Sequence, residues 1–130
     1  MSTRHAFLPR LFLTLTLTLG TAPLLAHVEK DDHTPRHGGV VVDVKAFDIE
    51  LTAKSALIRV YLRDHGKPMK LDGIGGKITL LAGGVKSEAV LTLAGDALEA
   101  RGTFNTNGAK AVVVITRPGK APVTARFTLK

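Results

Sequence analysis

From residue 40 to residue 129 the chain alternates apolar and polar residues with a period of two, and turn residues interrupt the alternation at short intervals. That pattern belongs to half-buried β-strands, because successive side chains of a strand point to opposite faces. Residues 40–44 are valine-rich. Phe47, Ile49 and Leu51 alternate with Asp48, Glu50 and Thr52. Ile58, Val60 and Leu62 alternate with Arg59, Tyr61 and Arg63, and the run Asp64-His65-Gly66-Lys67-Pro68 then reads as a turn. Ile78 and Leu80 lie in a strand ended by Gly83-Gly84, and Ala89, Leu91 and Leu93 are the inward set of the next. Gly95-Asp96 turns into Leu98 and Ala100. Asn107-Gly108 precedes the run 111–115, and Pro118-Gly119-Lys120 leads to Val123, Ala125, Phe127 and Leu129. No stretch combines helical periodicity with caps. Seven or eight strands at this spacing specify an all-β fold, a small antiparallel β-sandwich, immunoglobulin-like, with a small β-barrel as the alternative. Aliphatic residues with Phe47, Phe104 and Phe127 are expected to fill its core.

The chain has 130 residues, of which 45% are hydrophobic, which excludes global disorder and allows one ordinary domain. It has no cysteine, which excludes a disulfide framework, thiolate metal sites, iron–sulfur clusters, a cysteine nucleophile and a lipobox. With no tryptophan and Tyr61 as the one tyrosine, it lacks the aromatic surface that stacks on bases or sugars.

Residues 1–26 read as a signal peptide. Arg4, His5 and Arg10 form a basic start, the uncharged apolar stretch 11–19 is short for a membrane span, and small residues lead to Ala26. Cleavage is expected after Ala26, with a cut after Ala22 disfavoured by Pro23. The expected location is periplasmic, with no membrane span in the mature protein. Export removes two of the 18 basic residues and none of the 11 acidic ones, so the mature charge is +5. Those charges are spread along the chain as on a solvated surface, and an exported protein is an improbable partner for nucleic acid.

Residues 27–39 are polar and aperiodic, contain Pro35 and end in Gly38-Gly39. They read as a mobile arm before a domain spanning 40–130. Three histidines fall within eleven residues of it, His27, His33 and His37, interspersed with Glu29, Asp31 and Asp32. Neutral imidazole is the commonest metal ligand and carboxylates add charge. Without thiolates, and with Met69 the only methionine beyond residue 1, such a set suits Cu(II), Zn(II), Co(II) or Ni(II). A cut after Ala26 makes His27 the N-terminal residue, whose α-amine and imidazole can chelate one ion together. His65 sits on a tight turn beside Asp64. It reads first as a turn former, and joins the site if the arm folds back across that turn. The candidate ligands are therefore His37, His33, His27, Asp32 and His65. The opposing reading is a polar linker that happens to carry histidines.

Gly73-Ile74-Gly75-Gly76-Lys77 is followed by a strand rather than a helix, so it is a loop and not a phosphate cradle. Ser55 and Ser87 have no nucleophile elbow, and no carboxylate pair demands hydrolase chemistry. An enzyme is not expected.

Two stretches carry a resemblance. One is His37-Gly38-Gly39-Val40-Val41 followed by Phe47-Asp48-Ile49-Glu50-Leu51. The other is Val60-Tyr61-Leu62-Arg63-Asp64-His65-Gly66-Lys67-Pro68 followed by Gly76-Lys77-Ile78-Thr79-Leu80. With the segment 95–100, this order resembles the N-terminal β-domain of periplasmic adaptor proteins of heavy-metal efflux systems of the cobalt–zinc–cadmium type. It also resembles small stand-alone periplasmic proteins carrying that module. The likeness covers most of residues 37 to 129. It implies an immunoglobulin-like domain, a role near divalent-metal handling, a heavy-metal efflux complex as partner, and His37 as a ligand. The chain is also weakly similar to small periplasmic copper carriers, through His27 and the fold class alone. The expected function is a periplasmic divalent metal-binding protein, whether buffer, carrier or accessory of efflux. The alternative is a non-catalytic interaction module without metal.

Overall fold

The computed structural model describes Gly20 and residues 32–130. Those residues hold nine strands and no helix: β1 (Val40–Asp43), β2 (Asp48–Ala53), β3 (Leu57–Asp64), β4 (Lys67–Pro68), β5 (Gly75–Ala82), β6 (Val85–Ala94), β7 (Ala97–Arg101), β8 (Lys110–Thr116) and β9 (Val123–Thr128). Every pairing is antiparallel. The strand order is β1-β2-β3-β7-β6-β5-β8-β9, with β4 on the margin of β3.

Two features of that order make a sandwich rather than a meander. β3 pairs with β7, and β5 pairs with β8, so the chain crosses between layers twice. β6 serves both layers: residues 85–91 pair with β5 and residues 92–94 with β7. One layer, β1-β2-β3-β7, thus faces the other, β5-β8-β9, in the strand order of an immunoglobulin-type sandwich. β1 and β9, at the two ends of the path, come into contact, so the structure is nearly a closed barrel.

The core is the inward set of both layers. Ile49, Leu51, Ile58, Val60, Leu62 and Leu98 meet Ile78, Leu80, Val113, Ile115 and Phe127, all buried. Phe47 is buried with them, and Phe104 packs against the cluster partly buried. Gly76 is required where it stands: a Cβ there would lie 2.8 Å from the Val114 carbonyl oxygen and 3.2 Å from Ile115 Cδ1.

Three local readings differ from the sequence pattern. The turn at 64–68 closes a short strand pair of its own, β3 with β4, because His65 and Gly66 both take positive φ (49° and 75°) and set Lys67 opposite Asp64. That is the two-residue hairpin geometry that matches strand twist, and Pro68 is tolerated because β4 is an edge. Leu93, expected among the buried inward set, is 48% exposed although it stands opposite the buried Leu98, past the point where β6 changes layers. The third difference is the largest. The outward face of β2 and β3 is not open to solvent: Asp48, Glu50, Tyr61 and Arg63 are all buried. The register sets Asp48 beside Arg63 and Glu50 beside Tyr61, and the stretch 33–39 is bonded to this face.

Candidate metal centre

The stretch 33–39, read from sequence as part of a mobile arm, is tied to β2 and β3 at three points. The first is Glu50, whose side chain has no solvent exposure. Its Oε1 accepts the backbone N–H groups of His37 (2.7 Å) and Gly39 (3.1 Å), and its Oε2 accepts the Arg36 N–H (3.1 Å) and His37 Nδ1–H (3.0 Å). Burial by itself pushes the Glu50 carboxyl up. The His37 ring and the three backbone N–H groups outweigh it and hold the carboxyl below its ordinary value. The second point is a parallel stack of His37 on Tyr61, with ring centroids 3.6 Å apart. The third is Arg63, whose Nη1 and Nη2 both donate to the Thr34 carbonyl at 3.0 Å. Gly39 lets the chain leave this strap for β1, since a Cβ there would collide with the Leu51 carbonyl oxygen.

The strap so held sets His33 over Asp48. His33 Nδ1 lies 2.9 and 3.0 Å from the two Asp48 carboxylate oxygens, as donor to that carboxylate. Asp48 faces Asp43 directly across the β1–β2 hairpin. Like charges opposite each other on one face repel, so this pair is a standing attraction for a cation. The hairpin loop holds Asp43 in place: Lys45 takes a positive φ of 69° and donates its backbone N–H to Asp43 at 2.8 Å. One ligating atom each from His33, Asp43 and Asp48 lie within 4.8 Å of one another. They line a small pocket of about 60 Å³ whose far wall is the β3–β4 turn, with Asp64, His65 and Gly66. There His65 Nδ1 bonds the Asp64 carboxylate.

Five imidazole and carboxylate side chains therefore meet at one end of the sandwich, on a pocket that Lys45 also lines. The strap contributes His33, the β1–β2 hairpin Asp43 and Asp48, and the β3–β4 turn Asp64 and His65. Of the sequence-derived ligands, His33 and His65 share this pocket. His37 does not: it is bonded to Glu50, stacked on Tyr61, and lines a separate cleft with Gly38, Gly39 and Lys54. Asp32 is exposed and stands outside the His33 group; the Thr34 hydroxyl and backbone N–H hold its carboxyl below the usual value. His27 lies outside the described residues. Asp43 and Asp48 were missed. Their signal is two aspartates flanking the four-residue segment Val44-Lys45-Ala46-Phe47, which only a hairpin in this register brings face to face.

A scan against protein-family models, a search of curated proteins and a search of solved structures each find no match to this chain. Among the described residues no helix is long and apolar enough to cross a membrane.

Proposed function

We propose that this chain is a non-catalytic, periplasmic protein that binds a divalent transition-metal ion, as a buffer, a carrier or an accessory of heavy-metal efflux. The observation that carries this reading is the His33–Asp43–Asp48 group, with Asp64 and His65 on the same pocket. The donor set fits such an ion: imidazole and carboxylate in a chain without thiolates suit Zn(II), Co(II), Ni(II) or Cu(II) better than a soft monovalent ion. A bound cation would relieve the Asp43–Asp48 repulsion. The resemblance of residues 37 to 129 to metal-efflux adaptor domains points to the same chemistry.

The test is native mass spectrometry of the exported protein, offered Zn(II), Co(II), Ni(II) and Cu(II) in competition. One tightly held ion in the wild type, lost in Asp43→Asn and His33→Ala, supports the reading. A bare protein overturns it and favours the interaction module without metal. A specific feature speaks for that second reading, since Leu81, Val85 and Val90 of the β5–β6 hairpin are all strongly exposed.

A further inference from the structure

The candidate centre is built in two halves with different supports. Asp43 and Asp48 are fixed by the β1–β2 hairpin, whose register and loop hydrogen bonds do not involve the strap. His33 reaches them only because the strap lies down on β2 and β3. The grip on that strap is elaborate for so short a segment: a fully buried carboxylate with four N–H donors, an aromatic stack and a buried arginine on one carbonyl. Glu50 stands two residues after Asp48 on the same face of β2, so latch and ligand share one strand.

We propose that Glu50, His37 and Tyr61 are positioning residues that latch the strap and thereby set the affinity of the centre for its cation, without touching the ion themselves. This rests on the metal-binding reading above. With the strap docked for a fraction f of the time, the apparent dissociation constant is the intrinsic one divided by f. By reciprocity a bound cation tightens the strap by the same factor. The latch also accounts for His37, which the sequence places first among the ligands. It serves the centre through Glu50 and Tyr61 and not as a donor to the ion.

The experiment uses the full mature chain and Zn(II) as probe, with calorimetric titration at one fixed pH. Amide hydrogen exchange at His37 and Gly39 is read alongside, because those N–H groups bond Glu50 and report docking directly. The His37 ring is over one-third exposed, so His37→Ala leaves the core intact. It is expected to weaken Zn(II) binding about tenfold, the effect of losing one charge-assisted hydrogen bond and a stack, and to speed exchange at residues 37 and 39. His37→Phe, which keeps the stack, and His37→Gln, which keeps a donor, each recover part of the loss. Asp43→Asn abolishes the protection that Zn(II) adds in the wild type but leaves the zinc-free exchange rates unchanged. If both rescue variants stay as weak as His37→Ala, His37 is a ligand and the latch is wrong. An unchanged affinity in His37→Ala overturns the latch while leaving the metal reading intact. A wild type that takes up no Zn(II) overturns both.

Discussion

Replacing Glu50 by glutamine removes one charge and keeps the shape, and the structure says which contacts go. Oε1 serves the N–H groups of His37 and Gly39, and Oε2 those of Arg36 and the His37 ring. A glutamine carbonyl takes over one of these pairs. Its NH₂ group then faces the other pair: it bonds no backbone N–H, and it can bond only the His37 ring, once that ring takes the Nε2–H tautomer and Nδ1 accepts. Hydrogen bonds to a charged acceptor contribute about 1.5–3 kcal/mol each and neutral ones about 1. The loss is limited because the strap can lift and give its N–H groups to water. The expected cost of Glu50→Gln at pH 7 is about 2–4 kcal/mol, which is a large share of the stability of a small domain. The pH dependence follows from the carboxyl's lowered folded value. Its contribution is present in full above the ordinary glutamate value of 4.5 and is lost as pH falls through the lower folded one. The wild type and the variant should therefore differ fully at pH 7 and converge in acid. Urea unfolding followed by far-ultraviolet circular dichroism at pH 7, 5, 4 and 3 measures both. Midpoints that coincide at pH 7, or a gap that stays constant down to pH 3, would refute the assignment of Glu50 as the anchor of the strap.

Three further outcomes follow from the same geometry. Leu98→Ala removes a fully buried side chain of β7 and should cost about 2–5 kcal/mol in urea unfolding, with an unchanged dependence on denaturant. Gly76→Ala drives a Cβ into the Val114 carbonyl and the Ile115 and Leu91 side chains and should cost about 1–3 kcal/mol, read as a lowered Tm; a neutral result would mean that β5 and β8 are not paired as described. Asp43→Asn relieves the charge opposite Asp48, so it should leave stability without metal equal or slightly raised, and should remove most of the Tm increase that excess Zn(II) gives the wild type.

Much of the fold is legible in the residues one by one. Alternation at Phe47, Ile49 and Leu51 and at Ile58, Val60 and Leu62 names the inward faces of β2 and β3 correctly. The turns Gly83-Gly84, Gly95-Asp96 and Asn107-Gly108 fall between the strands that they were expected to separate. The other face of the same two strands is misread for a physical reason. Asp48, Glu50, Tyr61 and Arg63 look like solvent-facing residues because polarity is the usual mark of exposure. Here each of the four residues is covered by, and bonded to or stacked on, a strap 10 to 30 residues away in sequence, and only tertiary contact supplies it. The same limit applies to the ligands. A histidine-rich segment is visible in the sequence, but which of its histidines meets which carboxylate depends on hairpin register and on where the strap lies.

The sequence by itself determines the class of this protein: an all-β chain with no thiol chemistry, whose period-two pattern and turn residues leave one face of each strand to build a core. Those are local properties, set by the backbone preferences of short segments and by the preference of apolar side chains for leaving water. Tertiary structure alone decides the layering through the β3–β7 and β5–β8 crossovers, the burial of Glu50 under the strap, and the meeting of His33 with Asp43 and Asp48. Each of these joins groups far apart in the chain. Their energies depend on distance and solvent exclusion, which the order of residues does not state until the chain has folded.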